Sequence, residues 1–486
     1  MKADADALGS YLFSKGFKDC HIALMGENSY EWILTHFSVT CSGNVIVPID
    51  KDLDASGVSE LLADSHSVML VYSDSYKDIA EKLIAQLPGI TYLNMKDMPL
   101  CLEEGSKLIS EGYTECVDKK VDKDDLASIV YTSGTTGKSK GVMLTHGNFA
   151  RDAYSACCNV KVSGNSILML PLHHTFGLVA GVFSIMMYGC PIYINSSLKR
   201  LMMDFEKAKP QHFFAVPLIV ETLYKTIWST AKKNGKDKKL RTAIRLSNAL
   251  RKLGTDLRRK LMKPVLSALG GNLEVIICGG APLNPQLVRD YDSIGITLLN
   301  GYGITECSPI VAVNRNKFNV VGSVGLPLLC NQVKISEDGE VLVKGENVML
   351  GYYNMEEENA NVFADGWFRT GDLGRIDEYG ALHITGRIKN LIILGNGENI
   401  PAESIEQEIY KIPYVKECIA YGKDDVIVAE VYLDEEVPDA KDRINGDIEF
   451  MNQRMPRIRN VGKVVVRDTE FPKTTTKKIK RNCGGF

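Results

Sequence analysis

Residues 126–141 decide the fold class and read L126-A-S-I-V-Y-T-S-G-T-T-G-K-S-K-G141. The apolar run at 126–132 predicts a buried strand, and it passes directly into a loop with three glycines and two lysines. Glycine lets a backbone wrap closely around an anion. Hydroxyl groups donate to phosphate oxygens, and Lys138 and Lys140 add positive charge. This stretch therefore predicts a phosphate site at the end of a strand. It is not a Walker A loop, because Gly134 and Gly137 enclose two residues where that pattern has four.

On both sides of the loop, short apolar runs alternate with amphipathic stretches. Strands are predicted at 21–26, 44–49, 68–73, 166–172, 212–216 and 273–279, and helices at 29–41, 56–63 and 77–86. Such alternation predicts an α/β fold of layered, largely parallel sheets. After about residue 318 the pattern changes to short strands separated by turns. We therefore predict a large N-terminal domain over 1–388, with a small β subdomain at 321–388, and an α+β C-terminal lid domain over 389–486.

Composition and the N-terminal sequence bear on the partners and the cellular location of the protein. The 486 residues carry a net charge of −3, which gives no case for nucleic acid as a partner. Twelve cysteines form no CxxC pair, so we expect buried small apolar side chains in a reducing compartment. The N-terminus has acidic residues where a secretory signal has basic ones. These features predict a cytoplasmic protein.

Two further stretches are unusual in charge. Residues 162–198 contain no Asp, Glu, Lys or Arg, but prolines and glycines interrupt them, so a buried strand–turn–helix–strand is favoured over a membrane span. Residues 231–263, the basic segment, carry 13 Lys or Arg and two acids. Helical spacing there predicts either a solvated helical hairpin or a surface for anionic lipid or nucleotide phosphates.

The loop Y131-TSGTTGKSKGVMLTHG-N148 resembles the signature of the AMP-forming adenylating enzymes, which include acyl-CoA synthetases, adenylation domains and luciferases. Further stretches resemble the remaining motifs of that family in the family's order. They are ICGGAPL at 277–283, NGYGITEC at 300–307, WFRTGDLGR at 367–375, GRIKNL at 386–391, GENI at 397–400 and PKTTTKKIKR at 472–481. The resemblance covers nearly the whole chain and is nearest to fatty acyl-CoA synthetases. Relatives usually have roughly 40–50 residues before the helix with which this chain begins.

The resemblance implies a nucleotide site for ATP and Mg²⁺. Phosphates are expected at Thr132, Ser133, Gly134, Thr135, Thr136, Gly137, Lys138 and Lys140. Adenine and ribose are expected at Gly280, Ala281, Pro282, Asn300, Gly301, Tyr302, Gly303, Asp372 and Arg387. Thr305 is expected at the α-phosphate and Glu306 on Mg²⁺, since a hard cation prefers carboxylate oxygen. Taken alone, Tyr302 and Thr305 also fit plain packing, and Asp372 fits a turn.

The resemblance also implies the catalytic and moving parts. Lys478 is expected to bridge the acid's carboxylate and the α-phosphate, although a lysine in a basic run near a C-terminus is ordinarily a solvated tail. Lys389 is expected at the hinge, and Gly395 and Gly397 in the channel for CoA. Three positions depart from the family pattern: Lys477 replaces a glycine, Lys389 an aspartate, and Ala402 a proline that here stands one residue earlier.

The acid is predicted from PLHHTFG at 171–177 and the apolar run 178–189. From the resemblance, His174 is expected beside the acid's carboxylate, and a core or turn histidine is the alternative. As a metal pair, His173 and His174 are a weak signal. The apolar run offers small and flexible walls for an acyl tunnel, or core packing, or both. With the basic segment as a possible membrane contact, these features favour a medium- or long-chain fatty acid.

Three functions remain open. The first is an acyl-CoA ligase that uses ATP, Mg²⁺ and CoA. The second is a stand-alone adenylating enzyme that loads a separate carrier protein. The third is a non-catalytic nucleotide- or acyl-binding protein. The predicted location is the cytoplasm, with peripheral contact to the inner face of an anionic membrane through 231–263.

Overall fold

The computed structural model describes residues 1–132, 139–195, 197–394, 399–473 and 479–481. The chain divides into two compact units. The first unit comprises residues 1–321, 325–332 and 344–366, and the second comprises 322–324, 333–343 and 367–486. The second unit thus takes its residues from three separate stretches of sequence. The predicted border at 388/389 and the hinge at Lys389 stay predictions.

Helices and strands alternate through the first part of the chain. They are α1 (Lys2–Ser14), β1 (His21–Met25), α2 (Tyr30–Cys41), β2 (Val45–Pro48), α3 (Ala55–Asp64), β3 (Met69–Tyr72), α4 (Lys77–Gln86), β4 (Thr91–Asn94), α5 (Met98–Ser110), β5 (Leu126–Thr132), β6 (Lys140–Thr145) and α6 (His146–Asn159). Side-chain caps fix where several helices begin. The Ser29 hydroxyl accepts from the Trp32 N–H before α2, and Thr145 and Asn148 form a reciprocal capping box at α6, which satisfies otherwise unpaired N–H groups.

The middle of the chain continues the alternation. It contains β7 (Ser166–Leu168), a π-helical segment (Phe176–Phe183) that continues into α7 (Ser184–Met187), β8 (Ile192–Ile194), α8 (Leu201–Ala208), β9 (His212–Ala215), α9 (Pro217–Lys233), α10 (Asp237–Lys252), α11 (Arg258–Leu261), α12 (Lys263–Ala268), β10 (Val275–Cys278), α13 (Pro285–Ser293), β11 (Thr297–Gly303), β12 (Ile310–Val313) and β13 (Leu326–Pro327). The uncharged stretch 162–198 thus forms the predicted strand–turn–helix–strand. Across the described ranges, no helix is long and apolar enough to cross a membrane.

Short strands dominate the remainder. They and their helices are β14 (Asn331–Ile335), β15 (Glu340–Gly345), β16 (Gly351–Tyr352), α14 (Glu356–Val362), β17 (Phe363–Ala364), β18 (Trp367–Ile376), β19 (Leu382–Arg387), β20 (Leu391–Ile393), β21 (Asn399–Pro401), α15 (Ala402–Ile409), β22 (Val415–Lys423), β23 (Val426–Leu433), α16 (Ala440–Asn452) and β24 (Val461–Arg467). The predicted change to short strands after about residue 318 is present.

Two sheets form the centre of the first unit. Within the described residues, the first has the order β16-β6-β5-β2-β1-β3-β4 and the second the order β13-β12-β11-β10-β9-β7-β8. The strands from β5 to β4, and those from β11 to β8, pair in parallel. The strands β1, β2 and β3 are buried almost throughout, which explains why they read as continuous apolar runs. The prediction of layered, largely parallel sheets is confirmed.

Antiparallel strands lie at one edge of each sheet. The strand β6 pairs antiparallel with β5, and β12 with β11. Seven residues separate β5 from β6, too few for the crossover that a parallel partner requires. Loop length therefore forces a hairpin at the position of the predicted phosphate loop.

In the second unit, β15, β18 and β19 pair antiparallel. Further along the chain, β22, β23 and β24 form a separate sheet. The helices α15 and α16 contribute Ile405, Ile409, Ile444 and Ile448 to the apolar core of this part. This mixture of strands and helices agrees with the predicted α+β segment.

The cysteines are free thiols wherever they are described, and they differ in burial. Cys101, Cys116, Cys278, Cys307, Cys330 and Cys418 are buried. The expectation of uniformly buried cysteines was wrong for Cys41, which is exposed, and for Cys20, Cys157, Cys158 and Cys190, which are partly exposed.

Candidate active site

The predicted phosphate loop spans the hairpin between β5 and β6. Across its stem, Tyr131 pairs with Gly141 and Thr132 with Lys140. Of the predicted phosphate residues, Thr132 and Lys140 are described. Ser133, Gly134, Thr135, Thr136, Gly137 and Lys138 lie outside the described residues.

Lys140 is held by side chains that the sequence analysis did not identify. Its Nζ lies 2.6 Å from Glu358 Oε2 and 5.0 Å from the centre of the Tyr352 ring. The Lys140 side chain is 16% exposed. Glu358 thus occupies one of the three N–H donors of the Lys140 ammonium.

Tyr352 connects this lysine to the predicted Mg²⁺ residue. Its hydroxyl donates to Glu306 Oε1 at 2.8 Å. Burial, together with the Glu306 charge, raises the pKa of Tyr352 well above its ordinary value, so the phenol stays protonated and remains a donor. Glu306 is therefore oriented by a neutral hydrogen-bond donor in the first unit.

Hydrogen bonds from a neighbouring stretch of chain fix the loop that carries Thr305 and Glu306. Both residues lie in a short 3₁₀ helix directly after β11. The Met349 N–H donates to the Glu306 carbonyl at 2.9 Å. Asn347 Nδ2 donates to the Cys307 carbonyl at 3.0 Å, and Ser308 Oγ donates to the Asn347 carbonyl at 2.8 Å.

A buried carboxylate anchors this support. Asp152 on α6 is fully buried and accepts from the Ile310 N–H at 3.2 Å and from Asn347 Nδ2 at 3.1 Å. Burial raises the pKa of Asp152 well above 3.8. Sequence reasoning missed Asp152 and Asn347, because nothing in the local sequence marks two distant residues as partners.

The predicted adenine residues come together at the carboxyl ends of two parallel strands. Cys278 at the end of β10 pairs with Asn300 in β11, and Gly280 lines the same cavity as residues 301–303. This edge is where open α/β sheets bind ligands. Gly280 has a φ of +85°, and a Cβ on Gly303 would lie 2.1 Å from the Pro309 carbonyl. Both positions therefore require glycine.

A cavity of about 80 Å³ opens at the same edge. Gly279, Gly280, Gly301, Tyr302 and Gly303 line one side. The rest is mainly apolar and is lined by Ala156, Cys157, Val160, Val162, Phe176, Ala180, Ser184, Ile185, Tyr188, Phe214, Ile277, Cys278, Pro309, Ile310 and Val313. An apolar space thus adjoins the predicted nucleotide residues within one unit.

The predicted acyl wall 178–189 divides between two roles. Ala180, Ser184, Ile185 and Tyr188 line the cavity, whereas Leu178, Val179 and Val182 are buried core residues. Met186 and Met187 were expected as flexible walls but are 37% and 52% exposed. The Tyr188 hydroxyl donates to the carbonyls of Cys157 and Val160, which fixes its ring as part of the wall.

His174 lies in a cluster with Asp50 and His173. The ring centres of the two histidines are 4.3 Å apart. Burial lowers the pKa of His174 below 6.5, although Asp50 and Asp52 oppose this shift. The imidazole is therefore neutral at neutral pH. Its place beside an acid's carboxylate stays a prediction.

In the second unit, the two predicted ribose residues face each other. Asp372 on β18 pairs with Arg387 on β19, and Arg387 Nε lies 2.7 Å from Asp372 Oδ1. Asp372 is 2% exposed. Cross-strand pairing therefore places a carboxylate and a guanidinium side by side, and their role at ribose stays a prediction.

The predicted hinge and lysine segment belong to this second unit. Burial lowers the pKa of Lys389 below 10.5. Gly395, Gly397 and Lys478 lie outside the described residues, as does Lys477.

Described residues on both sides of 474–478 are anchored by ion pairs. Lys473 pairs with Glu417, and Arg481 Nη2 lies 2.6 Å from Glu406 Oε2. The motif resemblance had marked neither glutamate.

Known proteins share the sequence pattern of this chain. Residues 1–353 match the AMP-binding enzyme family. The chain belongs to that family. It is 30% identical over 429 residues to the long-chain-fatty-acid–CoA ligase FadD15 of Mycobacterium bovis, covering 82% of this chain and 70% of the relative. It is 28% identical over 442 residues to a feruloyl-CoA synthase of an Amycolatopsis species, covering 88% and 80%.

A solved structure gives the same fold over nearly the full length. The Bacillus subtilis o-succinylbenzoate–CoA synthetase with ATP and magnesium superposes with a TM-score of 0.78 at 24% identity, covering 99% of this chain and 93% of that one. The predicted family and fold are confirmed, and with them the class of enzyme, an AMP-forming acid–thiol ligase. The relatives' names specify different acids, so the likeness leaves the substrate undetermined.

Proposed function

We propose that this enzyme joins a medium- or long-chain fatty acid to CoA through an acyl-adenylate. The observation that carries this proposal is the apolar cavity that begins at Gly280 and Tyr302 and continues between Phe176, Ile185 and Tyr188. An acid whose carboxylate meets the nucleotide at the strand ends would place its hydrocarbon chain there. Burial of each methylene contributes ~0.8 kcal/mol.

In the first step the acid's carboxylate oxygen attacks the α-phosphorus of ATP, and pyrophosphate leaves. Two unit charges 4 Å apart repel by ~1 kcal/mol in water and by several-fold more in a partly dry site. Cations and donors at the phosphates are therefore the main requirement. Mg²⁺, when bound, neutralises phosphate charge, and Glu306 is the residue proposed to hold it. Thr305 and Lys140 are proposed to contact phosphate oxygens, and Lys478 the oxygens on either side of the new bond.

In the second step the thiol of CoA attacks the acyl carbon, and AMP leaves. We propose that Lys389 acts as the hinge that removes Lys478 and brings Gly395 and Gly397 to the thiol's path. The narrow pantetheine arm needs small residues along that path. Asp372 and Arg387 hold the ribose throughout.

An ATP–pyrophosphate exchange assay with butyrate, octanoate and palmitate tests the first step. We expect exchange to be faster with octanoate or palmitate than with butyrate, because a longer chain can bury more methylene groups against the apolar wall. No exchange with any of the three acids would contradict the proposal.

The Lys478→Ala variant tests the assigned catalytic group. We expect exchange to fall ~10²–10³-fold, the scale for one preorganised electrostatic donor, while thioester formation from supplied acyl-AMP is spared. Lys480→Ala, a nearby lysine of the same basic run, serves as the matched control. Equal losses in both half-reactions would contradict the assignment.

Two other functions predict different results in the same assays. A carrier-loading enzyme would show exchange but would transfer the acyl group to a carrier thiol and not to CoA. A non-catalytic binding protein would show neither exchange nor transfer.

We further propose that the basic segment contacts an anionic bilayer. The helix α10 carries most of its charge on exposed positions, and Leu246 and Leu253 are 51% and 80% exposed. Exposed leucines among lysines and arginines are the composition of a surface that binds at a membrane interface.

A further inference from the structure

Three side chains with metal-binding atoms lie close together in the first unit. Two of them are neighbours in sequence, and the third is more than 100 residues away. Asp50 follows β2, whereas His173 and His174 follow β7. One potential ligand atom from each of the three residues lies within 4.8 Å of the other two. All three residues belong to the first unit. Sequence reasoning considered only the histidine pair, because the carboxylate arrives through folding.

His173 is the informative member of this cluster. Its side chain is 4% exposed, and its Nε2 lies 3.3 Å from Asp50 Oδ1. Despite that distance, Nε2 makes no hydrogen bond. A buried ring nitrogen that lies close to a carboxylate oxygen without a hydrogen bond to it is free to bind a cation that both atoms contact from the same side.

The distance agrees with the coordination of zinc. Bonds from Zn²⁺ to imidazole nitrogen and carboxylate oxygen are about 2.0–2.2 Å, so two neighbouring ligands of a tetrahedral site lie about 3.3–3.5 Å apart. The observed separation of 3.3 Å between His173 Nε2 and Asp50 Oδ1 falls in this range. Two imidazoles and one carboxylate are a common ligand set for this ion.

The electrostatics of the cluster also favour a dication. Lys51 adds a positive charge nearby, but its Nζ lies 3.0 Å from Asp52 Oδ1. Asp50 and Asp52 both act electrostatically on His174, whereas Lys51 acts on His173. Asp50 is 33% exposed, which gives an ion access from solvent.

We propose that Asp50, His173 and His174 form a binding site for one Zn²⁺ ion, with a fourth position open to water. A consequence, which rests on the proposed function, is that a bound ion occupies the imidazole of His174 and so slows adenylation. The site itself does not depend on that function.

A cobalt titration of the metal-free full-length protein tests the site, because Co²⁺ in a low-coordinate site absorbs visible light and Zn²⁺ displaces it without absorbing. We expect one Co²⁺ per chain and loss of the bands on adding Zn²⁺. His173→Phe keeps a buried ring but removes a ligand. It should weaken binding by at least ~100-fold, since even outer partners of a ligand are worth ~10–100-fold.

The matched control is His383→Gln, which alters another histidine–carboxylate pair. His383 Nε2 lies 2.8 Å from Asp377 Oδ2, and His383 is not part of a three-ligand cluster among the described residues. This variant should bind Co²⁺ as the unaltered protein does. If His173→Phe does not fold, as monitored by circular dichroism, Asp50→Asn decides, because it preserves shape at a partly exposed position and should also lose the bands.

Three results would overturn the site: no visible bands with the unaltered protein, unchanged binding in the folded His173→Phe or Asp50→Asn variant, or loss of binding in His383→Gln. Pyrophosphate exchange, measured separately with and without Zn²⁺, tests the consequence for adenylation. Cobalt binding without an effect on exchange would keep the site and contradict the consequence alone.

Discussion

At the scale of single residues, the groups expected to do chemistry are each held by a neighbour from a distant part of the chain. Glu306 accepts a hydrogen bond from Tyr352, and Lys140 pairs with Glu358. Motif resemblance marked Glu306 and Lys140 as candidates, because each lies within a continuous motif of the family. It could not find Tyr352 or Glu358, since their effect arises only when folding brings β16 and α14 to the hairpin.

Replacing Tyr352 by phenylalanine should weaken the response to Mg²⁺. The change removes the donor that orients Glu306 and keeps the ring that packs against Lys140. Loss of such a partner to a metal ligand typically costs ~10–100-fold in metal affinity or activity. The measurement is the Mg²⁺ concentration that gives half-maximal pyrophosphate exchange.

The matched control for this change is Tyr353→Phe. Tyr353 is the next residue, and its hydroxyl lies 3.1 Å from His66 Nδ1 instead. We expect its Mg²⁺ dependence to be unchanged. An identical Mg²⁺ dependence in Tyr352→Phe would remove Tyr352 from the account.

Asp152 should contribute to the free energy of unfolding in a way that depends on its replacement. Asp152→Ala leaves the Ile310 N–H and Asn347 Nδ2 without this acceptor, at a cost of ~1–3 kcal/mol each. Asp152→Asn retains an acceptor oxygen and should be far less damaging. Urea unfolding of both variants makes the comparison.

The pH dependence of the same residue follows from its raised pKa. The folded state binds the Asp152 proton more tightly than the unfolded state does. Its stabilising contribution is therefore complete below the unfolded pKa and is lost as the pH rises through the folded pKa. An asparagine cannot lose a proton there, so the free energy of unfolding of Asp152→Asn should rise relative to that of the unaltered protein as the pH rises above 3.8. A constant difference between the two would contradict the shift.

At the scale of helices and strands, sequence pattern predicted most of the first sheet. The predicted strands at 21–26, 44–49 and 68–73 correspond to β1, β2 and β3, because runs buried on both faces are apolar throughout. The strand β4 was missed, since Thr91 is exposed and Tyr92 and Leu93 are only half-buried. Because this edge strand is not buried on both faces, its sequence lacks the continuous apolar run that predicted the other strands.

The site was predictable to a similar degree. Residues within one continuous motif, such as 300–307, were identified together. The cavity wall was only half predicted, because a period of apolar residues does not specify which face of the π-helical segment Phe176–Phe183 and α7 meets a cavity. Met186 and Met187 share the composition of the wall but not its position.

The pair α9 and α10 should bind anionic vesicles through the basic segment. Each Lys or Arg near such a surface contributes ~1 kcal/mol, and the attraction is screened over about 8–10 Å. Glutamine at Lys232, Lys233, Lys236, Lys238 and Lys239 should therefore reduce sedimentation with anionic vesicles. The same changes should raise the apparent KM for membrane-delivered long-chain acid and leave short acids and ATP unaffected.

Control variants and the dependence on salt distinguish vesicle binding by the basic segment from binding through lysines elsewhere on the protein. Glutamine at five other lysines, Lys77, Lys82, Lys120, Lys123 and Lys207, should leave vesicle binding unchanged. Binding should fall steeply with salt and be negligible on zwitterionic vesicles. A variant that instead lost affinity for CoA alone would show that the segment binds cofactor phosphates, and no change at all would leave the segment as a solvated hairpin.

At the scale of the whole molecule, the proposed two-step reaction requires a hinge that changes its dihedral angles. Lys389 lies in a single 3₁₀ turn between β19 and β20. Proline there fixes φ near −65°. We expect Lys389→Pro to retain pyrophosphate exchange and to lose thioester formation.

Lys389→Ala is the control for this prediction, because it removes the same side chain and leaves φ free. It should support both half-reactions. Unchanged turnover in Lys389→Pro would place the hinge elsewhere in the chain.

The second unit is assembled from 322–324, 333–343 and 367–486, and this has a consequence for synthesis on the ribosome. The strand β15 is made before β18, the strand with which it pairs. During that interval β15 exposes unpaired N–H and C=O groups, which can recruit another chain. The nascent enzyme is therefore most vulnerable to aggregation midway through the second unit. A C-terminal fragment expressed from residue 389 would lack β15, β18 and β19 and with them the sheet that holds Asp372 and Arg387.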